Sequence, residues 1–222
     1  MEFPATDKEF VVKSRKPFTE KEEQPMRTVI EARRSIRKFQ EKPVSRQDIE
    51  DIIQCGLRAP SSKNRQPWEY TVVSGKAKTS LTDTFRRGIA REESEDALLP
   101  GSRKYIEAAK YTVQIMEQAP AVILAVNPLG KGIFAELSPE ERVYEICNVQ
   151  SLAASVQNML LAATEKGIGS LWICDIFFAY KELCEWLGGK GELLAAIALG
   201  WPDEAPKARP RKSLEEKVRW LE

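Results

Sequence analysis

The sequence predicts a protein of the α+β or α/β class. Three observations carry that reading. Apolar, β-branched or aromatic runs of strand length recur at 68–73, 121–126, 171–173 and 193–199. Segments with helical spacing of apolar residues lie between them. At 222 residues with 42% apolar content, the chain can bury one sizeable core and needs no second domain.

Each element has a local reason. Residues 1–24 mix Lys, Glu and Pro with the isolated aromatics Phe3, Phe10 and Phe18 and show no sustained period, so they are expected as an irregular arm before a domain spanning 25–222. Pro25 suits the first turn of a helix that carries Val29 and Ile30. Phe39-Gln40-Glu41-Lys42-Pro43 should then run extended, because a residue before proline is kept out of the helical region. Ser45 with Asp48 three residues later resembles a capping box, and Ile49, Ile52, Ile53 and Leu57 follow at helical spacing to an end near Ala59 and Pro60.

A polar loop over 61–67 leads to a strand over 68–73, closed by Ser74-Gly75. Helices are expected over 76–90 and 102–117. The unbroken apolar run 121–126 is of the kind found in a strand covered on both faces, hence a central one. Ser138-Pro139-Glu140-Glu141 is a helix start with cap, N1 proline and N3 glutamate, and the helix should run to Lys166, with Gly167 as left-handed stop, roughly 40 Å in all. Its weakly polar second half predicts an apolar face that needs cover, a candidate subunit interface. A strand over 171–173, a helix over 178–187 and a strand over 193–199 complete the series.

Composition excludes several function classes. Lys plus Arg total 34 against 33 Asp plus Glu, a net charge of +1 with no overall field toward nucleic acid or a membrane surface. No apolar stretch approaches the roughly 20 residues of a membrane span, and the N-terminus lacks a secretion signal, so a cytoplasmic protein without membrane or nucleic-acid partner is expected. Cys55, Cys147, Cys174 and Cys184 form no C-x-x-C and read as buried free thiols. The chain has no histidine. That removes Ser-His-Asp and Cys-His nucleophilic sites, H-E-x-x-H zinc sites and imidazole bases, and a bound organic cofactor meets the constraint.

Four segments carry candidate chemistry. Arg33-Arg34-Ser35-Ile36-Arg37 places three guanidiniums and a hydroxyl where a helix gives way to extended chain. Guanidinium forks suit phosphate oxygens; taken alone, the cluster is read more simply as cations complementing the negative end of the preceding helix. The loop Pro60-Ser61-Ser62-Lys63-Asn64-Arg65-Gln66-Pro67 offers hydroxyls, amides and backbone N–H groups to a polar ligand edge; taken alone, it is read more simply as a helix-to-strand connection whose Ser and Asn satisfy local backbone groups. Gly167-Ile168-Gly169 passes from helix into strand, the reverse of a dinucleotide fingerprint. Pro206-Lys207-Ala208-Arg209-Pro210-Arg211-Lys212 reads alone as a solvated tail or a weak nucleic-acid contact.

In this order and at these separations the four segments resemble the nitroreductase-like FMN-dependent oxidoreductase family over about residues 25–222: RRSIRKF at 33–39, APSSKNRQPWEY at 59–70, GIGSLWIC at 167–174 and LGWPDEAPKARPRKSLEE at 199–216. The resemblance implies a three-layer fold with a central mixed, mainly antiparallel sheet flanked by helices, in an intertwined homodimer with FMN at the subunit interface. It implies NAD(P)H as transient electron donor and a small electrophilic acceptor such as a nitroaromatic or a quinone, with no metal. Arg33, Ser35 and Arg37, with Arg34, match residues that hold the phosphate, ribityl chain and pyrimidine edge. Arg209 and Arg211 match a basic pair that clamps the phosphate, Arg211 being the closer match. Pro60, Ser61, Ser62 and Asn64 match a loop reaching the flavin from the other subunit. Leu171, Trp172 and Ile173 match the segment whose backbone approaches flavin N5 and O4, with Cys174 beside it.

The resemblance assigns no catalytic side chain, and it departs from the family in places. The stretch 86–116, where family members build a substrate-selecting lid, lacks the acidic, Tyr and Lys set of the iodotyrosine-deiodinase branch. Ser35 stands where the flavin-cleaving branch usually carries Asp. Reductive dehalogenation or flavin cleavage on the same scaffold, and a flavin-free binding module using the basic C-terminal segment, are the alternatives.

Overall fold

The computed structural model of the chain describes residues 25–222, and the arm expected over 1–24 lies outside the described residues. The helices are α1 (Pro25–Ala32), α2 (Arg46–Gly56), α3 (Ala77–Glu93), α4 (Ile106–Gln118), α5 (Pro139–Glu165) and α6 (Tyr180–Trp186); the strands are β1 (Glu69–Ser74), β2 (Ala121–Asn127), β3 (Gly169–Ile173) and β4 (Glu192–Gly200). The strands form one sheet in the order β1-β2-β4-β3, every pair antiparallel. One isolated parallel bridge, Ser35 with Ser170, lies outside these four strands. The fold is therefore α+β.

The seven residues of β2 are all buried because both faces of this central strand are covered. Val122, Leu124 and Val126 face a cluster with Leu81, Phe85 and Ile89 of α3 and Val113 and Met116 of α4. Ala121, Ile123 and Ala125 face Ile49 and Ile52 of α2 and Leu152, Val156 and Met159 of α5. The two-residue period of the strand thus sorts one continuous apolar run into two cores, giving helices, sheet and helices in three layers.

Local signals set most boundaries. Ser45 caps α2 by accepting the Asp48 amide, and Ser138 with Glu141 forms a full capping box at the start of α5. Gly167, at φ +70°, ends α5 as expected. α2 stops at Gly56, short of the expected end near Ala59, because Pro60 has no N–H to offer the Gly56 carbonyl. That carbonyl instead accepts from Ala59 N (3.0 Å) and Ser155 Oγ (2.7 Å). The expected helix over 102–117 begins as a 3-10 turn, Pro100–Tyr105, and that over 178–187 is preceded by another, Asp175–Ala179.

Two expectations are corrected. The second half of α5 is not the uncovered part: its apolar residues fill the core between the sheet and α2. The exposed apolar residues lie in its first half, with Val143 57% and Ile146 51% exposed beside Tyr144 and Val149. A 27-residue helix outruns the sheet it packs on, and the overhang carries the free surface. The four cysteines are free but not buried, with Cys55 and Cys174 exposed and Cys147 and Cys184 half-buried.

Gly88 marks the closest approach between helices. A Cβ there would lie 2.3 Å from the Ala179 backbone, so Gly88→Ala must push α3 off the turn before α6. Overpacking of this kind should lower the unfolding free energy by about 3 kcal/mol. Urea denaturation checks this, and an unchanged midpoint would show that the two elements are free to separate.

Candidate functional site

The chain leaving α1 lies alongside β3: Ile36 N donates to Ser170 O at 3.0 Å, and Ile36 packs into the core against Gly169. With Ile36 turned inward, the extended backbone turns Ser35 and Arg37 outward. Arg34 takes the other of the two roles open to this cluster. Its Nη1 donates to Glu31 O (2.6 Å) and Arg33 O (2.9 Å), satisfying carbonyls at the end of α1. Arg33 and Arg37 are left to face outward.

The segment after β4 returns to the same place. Gln40 N donates to Trp201 O (2.9 Å), Asp203 N donates to Lys38 O (2.9 Å), and Phe39 and Pro202 form an antiparallel bridge. The half-buried Glu204 carboxylate accepts from Arg37 N and Lys38 N. This short ribbon carries the basic C-terminal segment back over the end of α1.

The result is a cleft of about 700 Å³ lined by Arg33, Arg34, Ser35, Arg37, Lys207, Arg209 and Arg211, with Ile30, Glu31, Pro206 and Ala208. Six of these are cations, and none joins an ion pair among the described residues. Glu31 is engaged by Arg27. Such a donor set calls for an external anion, and phosphate oxygens match guanidinium geometry. Lys207 and Glu204 were not singled out from the sequence. Lys207 sat unremarked in the basic run, and Glu204 acts through backbone pairing that no local pattern announces.

β3 extends this site. It is an edge strand, and beyond the Ser35–Ser170 bridge no strand among the described residues pairs with its outer edge. The Trp172 N–H and C=O therefore face away from β4 on the open edge, while the Leu171 and Ile173 backbone groups pair with β4 and their side chains are core. Cys174 follows. Its thiol is held above the ordinary cysteine value, by burial and then by the Asp175 carboxylate, so it stays protonated at neutral pH.

The Pro60, Ser61, Ser62 and Asn64 loop is not part of the same chain's cleft. It leads into β1 at the opposite end of the sheet, where Glu69 pairs with Val126. Its backbone is strained: Lys63, Asn64 and Gln66 all have φ near +50°. α5 holds it there, with Ser151 Oγ accepting from Ser62 N (3.3 Å) and the Tyr144 ring lying 4.5 Å from the Arg65 guanidinium. Much of the stretch 86–116 is framework, since α4 and the end of α3 are core elements. The connection between them is tied to buried Glu92, which accepts from Leu98 N and Leu99 N. Among the described residues no group of His, Cys, Asp and Glu could hold a metal, and no helix is long and apolar enough to cross a membrane.

A model of the nitroreductase family matches residues 30–201, which include both core layers, the 33–37 segment and β3. The chain belongs to the nitroreductase family. Among its relatives, the Bacillus subtilis protein YfhC is 29% identical over 195 residues, 86% of this chain and 92% of that protein. The NADPH-flavin oxidoreductase of Vibrio harveyi is 32% identical over 184 residues, 81% of this chain and 67% of that protein. A Desulfovibrio desulfuricans structure solved in complex with FMN superposes with a TM-score of 0.66 at 26% identity, covering 90% of this chain and 99% of its own.

In this nitroreductase-family chain Glu204 joins the two halves of the cleft. Glu204→Ala should remove two hydrogen bonds to a carboxylate and cost about 1.5 kcal/mol of stability. Thermal unfolding measures this, and amide exchange at Arg37 and Lys38 should rise with it; a wild-type melting temperature would mean the ribbon closes without the carboxylate.

Proposed function

We propose that the chain is an FMN-dependent oxidoreductase that takes electrons from NAD(P)H and delivers them to a small electrophile such as a nitroaromatic or a quinone. The observation that carries this reading is the cleft of unpaired cations at the head of an edge strand with free backbone groups. The residues fit the cofactor. A phosphate monoester bears close to two negative charges at neutral pH and three acceptor oxygens, and Arg33, Arg37, Lys207, Arg209 and Arg211 supply the matching donors. FMN, when bound, would supply the two-electron carriage, leaving the protein to bind and orient it.

The protein's part is binding, orientation and exclusion of water. Ser35 adds a neutral donor beside the phosphate-binding cations, and the open edge of the Leu171, Trp172 and Ile173 segment offers the Trp172 backbone groups to a planar polar ring. No side-chain acid or base is assigned to the reaction.

A homodimer completes the proposal. The overhanging half of α5 exposes Val143, Tyr144, Ile146 and Val149, and the C-terminal segment exposes Leu214, Trp220 and Leu221. Apolar surface of this extent is covered most economically by a second copy. The Pro60, Ser61, Ser62 and Asn64 loop, held rigid on the same half of α5, would then close the cleft of the other chain.

An anaerobic reductive titration of FMN-reconstituted protein, followed by a panel of acceptors, tests cofactor, donor and acceptor class together. Flavin absorbance should co-purify or appear on incubation, bleach with NADH or NADPH, and return with a nitroaromatic or quinone. A protein that takes up no FMN would remove the cofactor from the account, and one that takes it up but is not bleached by either nucleotide would remove the donor. Arg211→Ala should weaken FMN binding by about 1.5 to 3 kcal/mol, the scale of a charged hydrogen bond, or roughly ten- to hundredfold in Kd. Fluorescence titration of the flavin checks it, and an unchanged Kd takes Arg211 out of the site.

A further inference from the structure

At the end of the sheet away from the cation cleft, Asn127 closes β2 and pairs with Glu192, which opens β4. Glu192 is only 6% exposed, and its carboxyl group lies beside that of Glu145 on α5. Two carboxyl groups this close at a buried site are compatible only if one of them carries a proton, which the two can then share. No cation among the described residues pairs with either.

The loop 128–134 is fastened onto this pair. Lys131 N donates to Glu145 Oε1 (3.1 Å), and Asn127 Nδ2 donates to Glu145 Oε2 (3.3 Å). Asn127 Oδ1 accepts from Leu129 N (3.1 Å). Gly130 lies directly on Glu192: a Cβ there would be 2.5 Å from Glu192 Cβ and 2.8 Å from Glu192 Oε2, so the loop sits this low only without a side chain. Further along, Ile133 N donates to Tyr180 Oη (3.4 Å), and Phe134 meets the Tyr180 ring edge-on.

The other charged and titratable groups around the pair leave it alone to change charge near neutrality. On α5, Glu141 is paired with Lys131, the loop's own cation. On α6, burial raises both the Tyr180 phenol and the Cys184 thiol above their ordinary values, so both stay neutral, and Glu185 acts on Cys184. β2 contributes the uncharged Asn127.

We propose that Glu145 and Glu192 form a proton-held latch: sharing one proton they clamp the 128–134 loop, and losing it sets two carboxylates against each other beneath the loop and releases it. The released segment carries exposed Leu129, Ile133 and Phe134 and leads into the half of α5 that holds the strained 61–66 loop. Opening the latch therefore loosens an apolar lip at that end of the sheet. The inference stands on the described chain alone and does not depend on a flavin.

The direction with pH follows from the geometry. Burial, and then the charge of Glu145, push the Glu192 carboxyl up to about 7 from an ordinary 4.5. An opened loop restores the ordinary value, so the closed form binds the extra proton between those limits. Closure is fully favoured at low pH and is lost as pH rises through about 7.

Hydrogen exchange of the Lys131 and Ile133 amides in the full chain, expressed as protection factors at pH 6 and pH 8, tests the latch. Wild-type protection should fall about tenfold between the two, as expected for one proton held at about pH 7. Glu192→Gln, neutral at both pH values, should abolish the fall, and Glu145→Gln, which removes the opposing charge but leaves Glu192 buried, should reduce it. Tyr180→Phe should lower Ile133 protection at both pH values and leave the tenfold ratio at Lys131 intact. Wild-type protection independent of pH, or a fall that persists in both Gln variants, would overturn the proposal. So would a parallel fall in β2 and β4 amides, which would mark general unfolding.

Discussion

Cations from the two ends of the described chain face one cleft, and like charges brought that close repel unless the backbone holds them. Two backbone arrangements resist this: the bridge that lays the 33–37 segment along β3, and the ribbon between 37–40 and 201–204 that Glu204 staples. Both depend on β3 and β4 being neighbours, since one carries Ser170 and the other leads into Trp201. The central sheet is in that sense the frame on which a site of otherwise unfavourable charge is built. A site held in repulsion when empty gains from any anion that neutralises it.

α5 is the second organising element. Its second half belongs to the core, and a short polar chain through Tyr70, Ser155 and the Gly56 carbonyl ties β1, α5 and α2 together inside it. Its first half projects past the sheet and performs surface tasks: it holds the strained loop through Ser151 and Tyr144, sets Glu145 against buried Glu192, and exposes apolar residues. One helix thus links the loop, the lip and the proposed subunit contact, while the cations sit at the other end of the sheet.

Much of this was legible in the sequence where one local rule decides the outcome. The capping box at Ser138, the left-handed stop at Gly167 and the unbroken apolar run of β2 each left few alternatives, and all appear as expected. The 33–37 cluster was legible as cationic, but not as divided. That Arg34 turns back to α1 while Arg33 and Arg37 turn outward follows from pairing with β3, a contact distant in sequence. The extent of α5 was legible, but which of its halves is covered was not, because composition shows how apolar a helix is and not how far the sheet beneath it reaches. The positive φ values at Lys63, Asn64 and Gln66 had no glycine to announce them.

The central claim, that the cation cleft is a phosphate-monoester site serving a flavin, is tested most directly by comparing FMN with riboflavin, which differ only in that phosphate. The account predicts that FMN binds at least roughly a hundredfold more tightly at low salt, as two or more charged hydrogen bonds require, and that the gap narrows as salt is raised. Equal affinity for the two flavins would contradict it, whatever the activity of the bound protein.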